Sequence, residues 1–188
     1  MKKTAILMLL CLTLGRVGMA QTVVFGLGYF GTGKECPQGI RTDISFACPL
    51  TAHLDFAARL STAHGQGSMY TYGVYGPGGL TTETIDVAVT QYFDCLQLGV
   101  GYSFPLGSRL TLRLSGTAGA GRNTYMDYYG THNTTVICAD VTAECLWRLG
   151  DRLGLGVYAD YGYHWSGRSI YSTHPLYCAG VSAHFDLR

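Results

Sequence analysis

Apolar and polar residues alternate with a period of two along most of the chain after residue 20. The clearest example spans residues 109–121. Its alternation begins Leu110, Thr111, Leu112, Arg113, Leu114. A period of two is typical of a β-strand, whereas an amphipathic helix repeats about every 3.6 residues. The segment therefore predicts a strand with one apolar face and one polar face.

The same pattern predicts eight strands in the chain. Their alternating parts lie within residues 23–29, 40–46, 54–60, 95–104, 109–121, 137–147, 153–165 and 177–187. The connections alternate in length, with short turns around 49–51, 105–107 and 150–151 and long loops at 31–39, 65–90, 123–133 and 166–174. Short turns at one end and long loops at the other are typical of outer-membrane barrels, whose short turns lie in the periplasm. We therefore expect an all-β chain that forms an eight-stranded antiparallel up-and-down transmembrane β-barrel.

Residues 1–20 have the layout of a cleavable signal peptide. Lys2 and Lys3 precede an apolar run over residues 5–14, and the segment ends in small residues up to Ala20. The apolar run is about half of the roughly 20 residues that a membrane-spanning helix requires. We expect a signal peptide at residues 1–20 and one outer-membrane β-barrel domain at residues 21–188.

Composition changes this picture in one respect, the kind of surface that the barrel presents. Three of the 13 lysines and arginines precede residue 21, which leaves ten against 12 acidic residues, and Lys34 is the only lysine among those ten. A water-exposed surface is usually rich in lysine and glutamate. The chain therefore has little ordinary water-facing surface, and without a basic patch no nucleic-acid partner is expected.

Charged residues of the predicted strands all lie on the face opposite the apolar one. They carry both signs and include Arg41, Asp43, Asp55, Arg59, Arg113, Asp140, Glu144 and Asp160. Arginines and carboxylates can satisfy one another by hydrogen bonding inside a narrow lumen, so we expect a charge network there and an apolar face towards lipid. A soluble periplasmic ligand-binding barrel would have the two faces reversed and is an alternative.

Aromatic residues gather near both ends of the apolar face. They are Tyr102, Phe104, Trp147 and Phe185 towards the turns and Tyr29, Tyr163, Trp165 and Tyr177 towards the loops. Rings at both rims are typical of the girdles that outer-membrane barrels place at the headgroup layer.

Six cysteines follow the predicted cleavage site, which indicates an oxidising compartment. Cys95, Cys138 and Cys178 are predicted to point inward near the loop end, and Cys36 in the first long loop could reach them. We expect disulfides among these four. Strands four, six and eight are not neighbours, so direct bridges between them look too long, and Cys36 with Cys178 is the preferred pair.

The alternation in all eight strands, the loop asymmetry and the closing segment 177–187 resemble the small eight-stranded outer-membrane barrels of the OmpA and OmpX type. The resemblance covers residues 21–188. It implies a Gram-negative outer membrane, contact with outer-membrane lipid and lipopolysaccharide, insertion by the barrel-assembly machinery and a monomer. One departure is the end of the chain, because the family usually ends on an aromatic residue and here Phe185 is followed by three more residues.

The longest loop, residues 65–90, is the leading candidate for a functional surface. It has the pattern of two strand extensions around the glycine-rich turn 76–79, and an exposed sheet edge can add a partner strand. We therefore expect a structural or surface-interaction role, adhesion or partner docking, through this loop.

An outer-membrane lipid-modifying hydrolase is the enzymatic alternative. His164 and Ser166 at a strand end are similar to the pair in outer-membrane lipid A deacylases, in which a carboxylate completes a triad. No acidic residue lies between Ser166 and Asp186, and the alternation points His164 into the lumen. We therefore expect no enzymatic activity, no cofactor and no metal site.

Overall fold

The computed structural model describes residues 21–31, 37–76, 79–127, 130–165 and 174–187. Eight strands form one closed antiparallel barrel in chain order, and β1 closes the barrel against β8. Their bounds are β1 Thr22–Gly31, β2 Gln38–Pro49, β3 Leu54–Gly76, β4 Gly79–Pro105, β5 Leu110–Asp127, β6 Gly130–Arg148, β7 Leu153–Trp165 and β8 His174–Asp186. The predicted fold class is confirmed, and the predicted signal peptide lies outside the described residues.

Within these ranges, no helix is long and apolar enough to cross a membrane.

The two ends of the barrel differ as predicted, and we call them the turn end and the hairpin end. At the turn end, residues 50–53, 106–109 and 149–152 connect the strands. In the first of these turns the Thr51 hydroxyl accepts hydrogen bonds from the backbone N–H groups of His53 and Leu54, at 3.3 and 3.0 Å. The hairpin end holds the longer connections.

Two of the predicted long loops are largely strand. The pairing of β3 with β4 continues to Gly76 opposite Gly79, which confirms the prediction of two strand extensions within residues 65–90. The pairing of β5 with β6 continues to Asp127 opposite Gly130, so most of the loop predicted at residues 123–133 is also strand. Much of the predicted loops at residues 31–39 and 166–174 lies outside the described residues.

Apolar side chains cover the outside of the barrel. Their exposed fractions are large, for example 63% for Ile137, 62% for Val141, 60% for Val157 and 57% for Val181. A continuous apolar surface of this extent would be unfavourable in water and is suited to hydrocarbon. The arrangement is the reverse of that in a soluble ligand-binding barrel, which holds its apolar face inside.

Four of the eight predicted aromatic residues form contacting pairs on the outer surface, one pair at each end. Ring centroids lie 4.7 Å apart for Tyr102 with Phe104 at the turn end, and 4.8 Å apart for Tyr163 with Trp165 at the hairpin end. Both positions suit an amphipathic ring at a headgroup layer.

Candidate functional site in the barrel lumen

The middle of the lumen is occupied by a charge network centred on Arg41, whose side chain is only 1% exposed. Arg41 Nε lies 3.1 Å from Asp43 Oδ1 on the same strand. Its Nη2 atom lies 3.4 Å from Asp140 Oδ2 on β6 and 3.3 Å from Asp160 Oδ2 on β7. One guanidinium from β2 thus connects to carboxylates on two strands across the barrel.

Arg59 on β3 is the second cation of this central network. Its Nε atom lies 3.0 Å from Asp43 Oδ1 and its Nη2 atom 2.5 Å from Asp160 Oδ2. Neutral groups add hydrogen bonds to two of the carboxylates, since Ser61 Oγ donates to Asp43 at 2.5 Å and Gln97 Nε2 donates to Asp140 at 2.7 Å. The central network therefore sets two guanidiniums against three carboxylates, all of them buried.

A second cluster lies nearer the turn end and contains the other three predicted lumen charges. Arg113 binds Asp55 through two parallel hydrogen bonds of 2.5 and 3.1 Å, the bidentate geometry that suits a carboxylate. Arg113 Nη1 also lies 3.8 Å from Glu144 Oε2. His184 Nε2 lies 2.7 Å from Glu144 Oε1, and the Ser182 hydroxyl donates to the same carboxylate oxygen.

A vestibule of about 480 Å³ opens at the turn end. Arg113, Asp55 and His184 line its inner part, and Arg148 and Asp186 line its mouth. A smaller cavity of about 50 Å³ lies next to it, and Arg113 contributes to the walls of both. Charged and hydroxyl side chains, among them Asp43, Arg59 and Glu144, contribute to the walls of the smaller cavity, which is large enough for one or two water molecules. The charged part of the lumen is therefore reached from the turn end.

The hairpin half of the lumen is filled by an apolar plug. Its residues come from five strands and are buried together: Phe30, Ala63, Phe93, Cys95, Val136, Cys138, Leu176 and Cys178. The His164 ring stacks on Phe93 with centroids 4.4 Å apart, and its Nε2 atom lies 3.5 Å from Asp140 Oδ1. The plug thus separates the central network from the hairpin end.

The disulfide in the plug joins Cys95 on β4 to Cys138 on β6. Both are among the four predicted cysteines, but the expectation that strands four and six lie too far apart for a bridge is wrong. The expected pair of Cys36 with Cys178 is also wrong, because Cys178 is a free, buried thiol. Cys36 lies outside the described residues.

The curvature of the sheet explains this error. In a flat sheet, two strand spacings would separate the Cα atoms by roughly 9 to 10 Å, whereas the two cysteine Cα atoms lie 7.5 Å apart. The intervening strand β5 has inward glycines beside both cysteines. A Cβ atom on Gly119 would lie 1.9 Å from the Leu96 carbonyl oxygen, and one on Gly121 would lie 2.2 Å from that of Asp94. Glycine therefore allows the tight bend that brings β4 and β6 together.

Comparison with known proteins bears on the fold. No protein-family model matches the chain, and no curated protein matches it in sequence. Among solved structures, Neisserial surface protein A has a TM-score of 0.60 and 12% identity, over 89% of this chain and 96% of that one. The chain has the fold of the small outer-membrane β-barrels.

Two further structures support the same small-barrel fold. The N-terminal β-barrel domain of Pseudomonas aeruginosa OprF has a TM-score of 0.59 and 11% identity, over 89% of this chain and 97% of that one. A major outer membrane protein from Thermus thermophilus has a TM-score of 0.57 and 13% identity, over 90% of this chain and 100% of that one. At such identities the likeness concerns the fold and carries no lumen residue across.

Within this small-barrel fold, the lumen geometry is that of a structural network. Ser182, His184 and Glu144 lie together, but Ser182 and Glu144 both contact the same nitrogen of His184, and Ser182 donates directly to the carboxylate. A nucleophilic relay needs the base to contact nucleophile and acid through different nitrogens. Ser166 of the hydrolase hypothesis lies outside the described residues, and His164 points into the lumen as expected. Among the described residues, no group of three potential ligands is placed to hold a metal ion.

Several other members of the lumen network are not among the residues predicted from the sequence. Ser182, His184 and Gln97 lie on the polar face of their strands, so their inward direction could be predicted, but their partners could not. Tyr158 breaks the polar pattern of its strand, yet its hydroxyl donates to Asp43 Oδ2 at 3.3 Å. A tyrosine at an inward position of a strand could have indicated this contact, because a buried tyrosine hydroxyl usually finds a hydrogen-bond partner.

Proposed function

We propose that the protein is an integral barrel of a Gram-negative outer membrane with a surface-interaction role, adhesion or partner docking, and no enzymatic activity. The exposed apolar band, the aromatic pairs at both rims and the small-barrel fold support residence in the membrane. The plug and the central network fill the lumen, which argues for a scaffold that presents its hairpins. The turn end would then face the periplasm and the hairpin end the cell exterior.

The observation that carries this proposal is the length of the β3–β4 hairpin. The pairing of β2 with β3 ends at Gln66, and the pairing of β4 with β5 begins at Thr90. Between these points, β3 and β4 continue to pair with each other as far as Gly76 and Gly79. Residues 67–76 therefore extend roughly 33 Å beyond the shared barrel wall, at about 3.3 Å per residue.

This two-stranded ribbon, residues 67–89, has a sequence suited to binding another strand. It contains no lysine or arginine, its only acidic residues are Glu83 and Asp86, and its only proline, Pro77, falls in the sequence between the paired residues Gly76 and Gly79. Natural proteins usually protect exposed edges with lysine or proline along the strand. Within the described residues the ribbon pairs only with itself, so both backbone edges are available for strand addition.

Shortening the ribbon tests the proposal. In the test variant, residues 68–88 are replaced by Asn-Gly, which forms a tight turn between the paired residues Gly67 and Val89. In the matched control, Asn-Gly replaces residues 126–131 between the paired Tyr125 and His132. Cells that display each form are compared for adherence to cultured epithelial cells and for cell-to-cell aggregation.

We expect the test variant to lose adherence and the control to keep it, while both migrate as folded barrels in unheated gels. Equal adherence of the parent and the test variant, or equal loss in both variants, would contradict the surface role of the ribbon. An epitope tag inserted after Pro77 should be reached by antibody on intact cells. If it is reached only after lysis, the proposed orientation is wrong.

A further inference from the structure

The two edges of the ribbon differ in charge. β3 contributes residues 67–76, which contain no charged residue and no proline. β4 contributes residues 79–89, which contain Glu83 and Asp86 near their middle. Charged residues along an exposed strand protect it from the addition of another strand. The edge without this protection is therefore that of β3.

The register of the ribbon gives a second difference between the two edges. Tyr72 on β3 pairs with Thr84 on β4. Two residues further along β3, Val74 pairs with Thr81, which is three residues before Thr84. The extra residue is a β-bulge on β4, and a bulge interrupts the ladder and twists an edge away from other chains. The shift adds no residue to β3, whose edge keeps the even spacing that an added strand requires.

The direction of β3 decides how two copies of the chain can pair through this edge. In every copy β3 runs from the turn end, at Leu54, to the hairpin end, at Gly76. Two β3 edges that pair antiparallel, the more stable arrangement of two strands, therefore belong to barrels whose axes point in opposite directions. Such barrels lie in two membranes that face each other, with the ribbons between them.

Ribbons that continue straight from their barrels cannot pair within one membrane, because the barrels are too wide. Two ribbons that share one sheet have their centres about 10 Å apart, which is two strand spacings of about 4.8 Å. Eight strands at this spacing enclose a barrel at least about 12 Å across, and outward side chains add roughly 5 Å on each side. Barrel axes in one membrane must then stay about 22 Å apart, so neighbouring barrels would overlap before their ribbons met.

We propose that the ribbon binds the ribbon of a second copy of this chain on a facing membrane, by antiparallel pairing of the two β3 edges. This inference rests on the proposed surface role and names its partner. When residues 67–76 of both copies overlap fully, Thr71 of one copy lies opposite Tyr72 of the other. No like charges meet along this edge, which makes it complementary to itself. The overlapped segment holds the two barrels roughly 33 Å apart, at about 3.3 Å per residue.

Variants of opposite charge test this pairing between membranes. One variant carries Thr71→Lys with Tyr72→Lys, and the other carries Thr71→Glu with Tyr72→Glu. The purified, folded chains are placed in separate phosphatidylcholine vesicles labelled in two colours, and aggregation is measured by light scattering and by the mixing of colours within aggregates. The matched control carries Thr84→Lys with Ile85→Lys, at the β4 residues that pair with Tyr72 and Thr71.

We expect vesicles with the parent chain to aggregate and vesicles with either charged variant alone to stay dispersed. Each like-charged pair at opposite positions weakens a contact by up to about five-fold, so two pairs weaken it by up to about 25-fold. The many contacts between two vesicles amplify this difference. Mixing the lysine vesicles with the glutamate vesicles should restore aggregation, in clusters that contain both colours, because opposite charges then meet.

The control should aggregate like the parent. Its lysines lie on the outer strands of the joined sheet, about 14 Å from those of the partner, which is three strand spacings. That distance exceeds the screening length of about 8 Å at physiological salt. All variants should migrate as folded barrels in unheated gels, since the substituted residues lie beyond the barrel wall.

Aggregation of the lysine variant alone, no recovery on mixing, or dispersal of the control would overturn the assignment to the β3 edge. Dispersed vesicles with the parent chain would overturn pairing between copies. In that case, ribbon-dependent adherence to epithelial cells would leave the proposed surface role standing with a different partner, whereas loss of both readouts would refute the role itself.

Discussion

Replacing Arg41 by methionine is expected to destabilise the folded barrel by about 3–5 kcal/mol, the usual cost of leaving a buried charge without its partner. Methionine has a similar length and fills the space without a charge. Arg41 lies within 3.4 Å of three carboxylates, and Arg59 is the other guanidinium of the central network. The variant would thus leave three buried carboxylates facing one cation.

Asp140 should account for much of this cost. Asp43 and Asp160 keep their contacts with Arg59, whereas Asp140 keeps only the Gln97 amide and the more distant His164 ring. Adding Asp140→Asn to the Arg41 variant should therefore recover about 1–2 kcal/mol, because the least compensated charge is removed. Asp140→Asn alone should be close to neutral.

The free energies of unfolding are measured by urea titration of protein refolded into lipid vesicles, followed by tryptophan fluorescence and by the gel shift between folded and unfolded forms. Arg122→Met is the matched control, since this exposed arginine binds only the neutral Asn133 side chain. Its cost should stay below about 1 kcal/mol. A cost below about 1 kcal/mol for Arg41→Met, or no recovery in the double variant, would refute the view that electrostatic pairing stabilises the lumen.

Two further predictions concern lipid contact and the disulfide. Val181→Arg places a charge on the outer face and should lower the free energy of unfolding by about 2–4 kcal/mol near the bilayer midplane. In Thr111→Arg the new side chain enters the vestibule, so the loss should be less than about 1 kcal/mol. Equal losses in the same urea titration would count against the assigned faces. Cys95→Ser with Cys138→Ser should lower the free energy of unfolding by about 3–4 kcal/mol through the entropy of the opened loop, and an unchanged unfolding midpoint would contradict this.

The period-two pattern predicted the strands and their faces because one physical condition acts on every strand. Each outward position must tolerate hydrocarbon, and each inward position must fit a narrow polar lumen. This condition applies only to the membrane-spanning part of each strand. Beyond that part, the predicted strand ends differ from the observed ones, as in β5 and β6. Asn123 and Tyr125 fall in a predicted loop, but they are buried strand residues whose side chains hydrogen-bond to each other.

The contacts between side chains in the lumen were harder to predict than the face of the strand on which each side chain lies. Alternation shows that Glu144 and His184 both point inward, but their contact depends on the register of β6, β7 and β8 together. The same limit explains the wrong cysteine pairing, because the bend at Gly119 and Gly121 is a property of the closed sheet and has no signal in the spacing of Cys95 and Cys138.

The closure of β1 against β8 has a consequence for how the molecule is made. The backbone N–H of Leu187 donates to the carbonyl of Gln21 at 2.7 Å, so the first and last described residues meet at the turn end. Until β8 has been synthesised and delivered, β1 lacks one of its two neighbours and cannot be shielded in lipid. Closure of the barrel must therefore await β8. Because residues 21 and 187 are adjacent, a circularly permuted gene that joins these two residues and opens the chain within one of the turns should encode the same barrel.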